Sequence, residues 1–100
     1  MIAKGTLKTN MTLHELQWKI RELEKSKGWI NSSDAKITFL VEEMGEVAKW
    51  IRKSRGKGLN EEEKEELGFE FADVLQHLIS LANEFNIDLE QSLLKKKGIH

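Results

Sequence analysis

One hundred residues suffice for a single domain, but a chain this short covers only about two-thirds of the surface it exposes when unfolded, so self-association would add to its stability. Sixteen basic and 17 acidic residues leave a formal net charge of −1, which argues against electrostatic capture of nucleic acid or of an anionic membrane. The absence of cysteine excludes disulfides and thiolate metal sites; no apolar run approaches the roughly 20 residues that span a bilayer, and residues 1–10 lack the apolar stretch of a signal peptide, so a cytoplasmic protein is expected.

With no proline and few β-branched runs, the chain reads as helical. Residues 1–11 form a polar leader ahead of a domain spanning 12–97. The first helix is expected to begin at Thr12, because Thr12-Leu-His-Glu15 has the capping-box spacing that satisfies free amide donors reciprocally. Leu13, Leu16, Ile20 and Leu23 recur at three- and four-residue intervals and share one face; Gly28 supplies the stop.

A second helix is expected from about Ser33 or Asp34 to Lys53. Ile37, Leu40, Val41, Met44, Val47, Ala48 and Ile51 give it a nearly unbroken apolar stripe. The glycine-punctuated basic segment Lys53-Ser-Arg-Gly-Lys-Gly-Leu-Asn60 reads as a loop. Asn60 then caps a third helix, with Glu63 at the capping-box position and Glu61 to Glu63 favoured by the helix dipole. Its expected core face is Leu67, Phe71, Val74, Leu75, Leu78, Ile79, Ala82 and Phe85, and Gly68 on that face would let a neighbouring helix approach. A short fourth helix follows Asp88, whose side chain would cap toward Gln91, and the stretch from Lys95 to His100 is expected to fray. The fold class is therefore all-α: a bundle of three main helices and a short C-terminal one.

Projected at about 100° per residue, Phe39, Glu43, Glu46 and Trp50 fall on one strip beside the apolar face of the second helix, with Glu42 on the next strip. Glu66, Glu70, Asp73 and His77 repeat the spacing on the third. Packing the two helices side by side would bring Glu43, Glu46, Glu70 and Asp73 together. Four converging carboxylates repel one another, and partial burial adds to the penalty. A hard divalent cation reverses that balance; without cysteine and with little histidine, Mg²⁺ or Mn²⁺ suits the site better than zinc. A solvated outer face is the alternative for these acids, and it is the favoured reading for Glu61, Glu62, Glu63 and Glu65 at the helix start.

The segments Leu40-Val-Glu-Glu-Met-Gly-Glu-Val-Ala48 and Glu70-Phe-Ala-Asp-Val-Leu-Gln-His-Leu78 resemble the MazG-type nucleotide pyrophosphohydrolases of the all-α NTP pyrophosphatase superfamily, whose signature is E-E-x-x-E followed by E-x-x-D. Leu16-Gln17 with Ile20, Gly28-Trp29, and Leu81-Ala-Asn-Glu-Phe-Asn-Ile-Asp-Leu-Glu90 extend the resemblance over about residues 12–95. It implies Mg²⁺-dependent hydrolysis of nucleoside triphosphates to monophosphate and pyrophosphate, in control or cleansing of a nucleotide pool. It also implies that Glu43, Glu46, Glu70 and Asp73 are the metal ligands, and that Glu42 orients or deprotonates the attacking water. Two other readings stay open: a non-catalytic helical module that binds a partner protein, and a related diphosphate hydrolase such as a phosphoribosyl-ATP pyrophosphohydrolase.

Phosphate contacts could come from Lys53, Arg55 and Lys57 in the loop or from Lys95, Lys96 and Lys97, although simple solvation accounts for both runs as well. The family's C-terminal Lys followed by Asn or Arg has no clear counterpart here, so that contribution could come from another subunit. Gln17, Trp29 and Asn83 are candidates for the base, with Phe39 and Trp50 as further aromatics that burial would explain equally well. Trp18 and Phe69 project away from the apolar faces of their helices, which points to a second buried surface and a homodimer or tetramer.

Overall fold

A computed structural model of the chain describes residues 10–29 and 31–100. Most of the expected polar leader, residues 1–9, lies outside the described residues. The elements are α1 (Leu13–Lys27), α2 (Ser33–Lys53), α3 (Glu61–Glu84) and α4 (Leu89–Lys97), and the fold is an all-α bundle. No helix among the described residues is long and apolar enough to cross a membrane.

Each helix starts where its cap chemistry dictates. The Thr12 hydroxyl accepts from the Glu15 amide at 3.1 Å while the Glu15 carboxylate accepts from the Thr12 amide at 3.3 Å, and Asn60 and Glu63 close the same reciprocal pair at 2.8 and 3.0 Å. Asp88 accepts from the Gln91 amide at 3.0 Å. Ser32, one residue before the expected start, caps α2 through its hydroxyl. Gly28 ends α1 in the left-handed conformation at φ 68°. The C-terminal stretch does not fray at Lys95: α4 continues to Lys97, Gly98 closes it at φ 65°, and the Ile99 amide returns to the Leu94 carbonyl at 2.9 Å.

The main packing is between antiparallel α2 and α3, and α1 rests on α3 and α4. A polar network ties α1 to α3 and α4. The buried Gln17 carboxamide donates to Asn83 Oδ1 at 3.1 Å and to the Ile87 carbonyl at 2.9 Å, and accepts from the Leu89 amide at 2.8 Å. Asn83 Nδ2 donates in return to the Gln17 carbonyl, and Arg21 donates to the Asn83 carbonyl.

The expected core face is corrected by the structure. Of its members only Ile79 and Ala82 are buried; Ile37, Val41, Met44 and Ile51 on α2, and Phe71, Leu75, Leu78 and Phe85 on α3, are exposed. The reason is geometric. The two helices meet along the strip that contains half-buried Leu40, Glu43 and Val47 against Leu67, Glu70 and Val74, which leaves much of the apolar arc on each helix pointing to one side of the pair. Gly68 likewise makes no close helix approach, because a Cβ placed there would meet nothing within 4 Å.

Candidate active site

The α2/α3 seam carries the acidic residues. Its register is set by three pairs along antiparallel helices. Lys36 Nζ lies 3.3 Å from Glu84 Oε2; the rings of Phe39 and His77 stand 5.7 Å apart; and one turn further, Glu43 meets Glu70. Carboxylate oxygens of Glu43, Glu70 and Asp73 all lie within 4.8 Å of one another. The sequence spacing brings these three together because residues three and four apart share a helical face. Glu46 adds its charge to the same group without joining the closest three, and Glu42 is exposed beside them on α2.

Electrostatically the cluster is unbalanced. Among the described residues, none of its acids takes part in an ion pair with Lys, Arg or His. The hydrogen bond between the Glu70 and Glu43 side chains raises the Glu70 pKa above the ordinary carboxylate value, and burial and the charges of Glu43, Asp73 and Glu46 push it the same way. Glu70 Oε2 is buried without a hydrogen-bond partner. A buried, orphaned carboxylate oxygen within reach of two more carboxylates suits a hard cation, so the donor set fits Mg²⁺ or Mn²⁺.

The other expected site residues are distributed around this centre. Lys53 ends α2, with Arg55 and Lys57 after it, on the side of the acids away from Lys36, and Lys53 Nζ sits 5.0 Å from the Trp50 ring centroid. Lys95 and Lys96 are exposed on the last turn of α4, the helix that packs on α1. Gln17 and Asn83 do come together, but with both Gln17 amide hydrogens and its carbonyl oxygen engaged in the network that joins α1 to α3 and α4. Trp29 is 46% exposed and lines a cleft of about 500 Å³ where the C-terminal end of α1, the start of α2 and the end of α3 meet.

Lys36 and Ser80 are among the residues in the wall of that cleft that sequence reasoning missed. The signal was available: both continue the strips already identified, Lys36 three residues before Phe39 and Ser80 three after His77.

Fold and site together define a small all-α protein with a carboxylate cluster on facing helices, suited to a divalent cation. The model of the MazG nucleotide pyrophosphohydrolase domain matches residues 31–99, and the chain belongs to that family. A search of curated proteins finds no match. The matched segment holds α2, α3 and α4 with all the acids; α1 precedes it and is joined to it through Gln17, Arg21 and Asn83.

Proposed function

We propose that the domain, residues 12–97, hydrolyses nucleoside triphosphates to nucleoside monophosphate and pyrophosphate in the cytoplasm, in the service of nucleotide-pool control. The observation that carries this reading is the convergence of Glu43, Glu70 and Asp73 around a buried Glu70 oxygen that has no partner, in a chain of this family.

Glu43, Glu46, Glu70 and Asp73 hold the cation. When bound, Mg²⁺, or Mn²⁺ in its place, neutralises and polarises phosphate oxygens. Glu42, exposed next to the ligands, orients a water molecule and accepts its proton. The water oxygen forms a new bond to phosphorus at the α–β phosphoanhydride, the bridging bond breaks, and pyrophosphate leaves. Little else is asked of the protein than position and charge, as is general for phosphoryl transfer. Lys53, Arg55 and Lys57 follow the same helix as the ligands and steady the leaving phosphates better than Lys95 and Lys96 on α4. Trp29 stacks on the base, and Gln17 holds Asn83 in place in the cleft wall.

The working unit is a homodimer, with a tetramer formed by a second contact. A compact monomer of 11.6 kDa exposes about 5,800 Å², whereas this chain exposes 8269 Å². The exposed arc from Ile37 to Ile51 on α2 and from Phe71 to Leu78 on α3 is what a second copy would cover, giving a four-helix core. Trp18 and Phe69, 58% and 57% exposed, lie outside that arc and suit the second contact.

The deciding experiment incubates the protein with a panel of nucleoside triphosphates, with Mg²⁺, with Mn²⁺ and with excess EDTA, and measures pyrophosphate release. Release that requires the metal supports the reading. A protein inert toward every nucleotide, yet binding Mg²⁺, would favour a non-catalytic role.

A further inference from the structure

Ser80 lies on α3 seven residues beyond Asp73 and ten beyond Glu70, on the same strip of the helix. It is 2% exposed, and its hydroxyl has no hydrogen-bond partner among the described residues. A serine within a helix can donate to the carbonyl four residues earlier; Ser80 does not. A buried hydroxyl without a partner is unfavourable, and native structures keep few of them.

The surroundings indicate what the missing partner is. Ser80 shares the wall of the cleft with Trp29, Asn31, Lys36 and Asn86. The half-exposed indole of Trp29 offers a flat apolar surface, and the two asparagines offer amide donors and acceptors. Three cations, Arg21, Lys25 and Lys36, face two carboxylates, Glu24 and Glu84, in the cleft wall; with Lys36 paired to Glu84 at 3.3 Å and the Arg21 guanidinium engaged with the Asn83 carbonyl, little uncompensated charge is left for a second anion. A neutral heteroaromatic ring with a polar edge matches this chemistry better than a phosphate does. Distance agrees, since seven helical residues separate Ser80 from Asp73 by about 10 Å, which is the reach of an extended nucleotide from its phosphates to its base. The tilted ring pair of Phe39 and His77 stands between the two ends.

We propose that Ser80 is a specificity-determining residue, whose hydroxyl hydrogen-bonds the polar edge of the substrate's nucleobase while Trp29 stacks on its face. This rests on the hydrolytic reading given above. In the free chain the hydroxyl is closed off from solvent, so the base reaches it by displacing a side chain of the same wall. Lys36, with a long stem and a side chain 15% exposed, is the group that gives way. The unfavourable free hydroxyl is then a stored preference for a base that can satisfy it.

The test compares the wild type with Ser80→Ala and, separately, Trp29→Leu, on triphosphates that share a sugar and differ in base. Ser80→Ala is expected to raise KM for the preferred nucleotide about tenfold with kcat changed less than about twofold, and to narrow the spread of kcat/KM across bases. Its melting temperature without nucleotide should equal or exceed that of the wild type, while the rise on adding the preferred nucleotide should shrink. Trp29→Leu should raise KM for all bases. If the wild type discriminates among bases and Ser80→Ala keeps the same discrimination and the same nucleotide-induced rise, Ser80 only fills space and the proposal is overturned. If the wild type discriminates and Trp29→Leu alone alters KM, the cleft holds the base without Ser80, which also overturns it. A wild type that turns over no nucleotide rejects the hydrolytic reading itself, and this inference with it.

Discussion

Glu43 and Glu70, one from each of two antiparallel helices, bring carboxylate oxygens within 4.8 Å of each other, and the side-chain interaction with Glu43 is the largest cause of the raised pKa of Glu70. Without a cation, the crowding of these carboxyl groups makes Glu70 hold a proton more readily than a free glutamate does.

A first prediction concerns pH. Because the folded-state pKa of Glu70 lies above its ordinary value of 4.5, the folded chain binds the proton more tightly than the unfolded one. The stability this contributes is fully present below the ordinary pKa and is lost as pH rises through the raised one. Glu70→Gln keeps a hydrogen bond to Glu43 and cannot ionise. In EDTA, the melting temperature of Glu70→Gln should therefore exceed that of the wild type by a margin that grows as pH rises through that window, then levels off. A margin independent of pH would contradict the raised pKa of Glu70.

How much of this was legible in the sequence varies with the kind of interaction. Helix starts were legible, because capping by Thr12, Asn60 and Asp88 is decided within four residues. The meeting of Glu43 with Glu70 and Asp73 was legible because spacing fixes which residues share a face. Periodicity does not say what a face will meet. Val41 and Leu75 carry the same signal as Ile79, yet only Ile79 is covered within the chain. The strip that carries Ser80 was legible, but the hydrogen bonding of Gln17 and Ser80 was not: whether a buried polar group is satisfied depends on partners dozens of residues away, such as Ile87 and Leu89 for Gln17.

The acids should be separable by substitution. Glu43→Gln and Asp73→Asn should each lower pyrophosphate release by at least about a hundredfold, since each removes a charge that offsets the cation in a site where metal charge stabilisation is worth several kcal/mol. In the wild type, Mg²⁺ at ten times its Kd should stabilise the fold by about 1.4 kcal/mol, and both variants should show less. Full activity in either variant, measured under saturating metal, would remove that residue from the ligand set. Glu42→Gln should lower turnover while leaving metal-dependent stabilisation intact, because its role is assigned to water and not to the cation.

Gln17 gives a prediction about stability alone. Its carboxamide satisfies Asn83 Oδ1, the Ile87 carbonyl and the Leu89 amide, and thereby ties α1 to the turn between α3 and α4. Gln17→Leu preserves much of the volume but strands those groups in a half-buried seam. The expected loss is about 3 kcal/mol, since each unsatisfied buried group costs roughly 1–3 kcal/mol. Chemical denaturation measures it directly. A loss below about 0.5 kcal/mol, the scale of an ordinary surface substitution, would mean that water replaces the carboxamide and that α1 is held by its apolar contacts instead.

The exposed arc of α2 and α3 makes the strongest demand on the assembly. Val41 at 64% and Leu75 at 44% exposure sit on neighbouring helices of the same surface, and a stable interface buries about 800 Å² per partner. Sedimentation at micromolar concentration should find the wild type as a dimer or larger. Val41→Lys or Leu75→Lys places a charge where the partner's apolar side chains would lie. Either should shift the protein to monomer and lower its melting temperature, since among the described residues only Ile79 and Ala82 are buried apolar residues within one copy. Phe69→Ser should leave the dimer intact and abolish any tetramer, because Phe69 lies outside the arc. A wild type that sediments as a monomer would refute the second copy and leave this face without an occupant. A dimer unmoved by Leu75→Lys would place the contact on the Trp18 side instead.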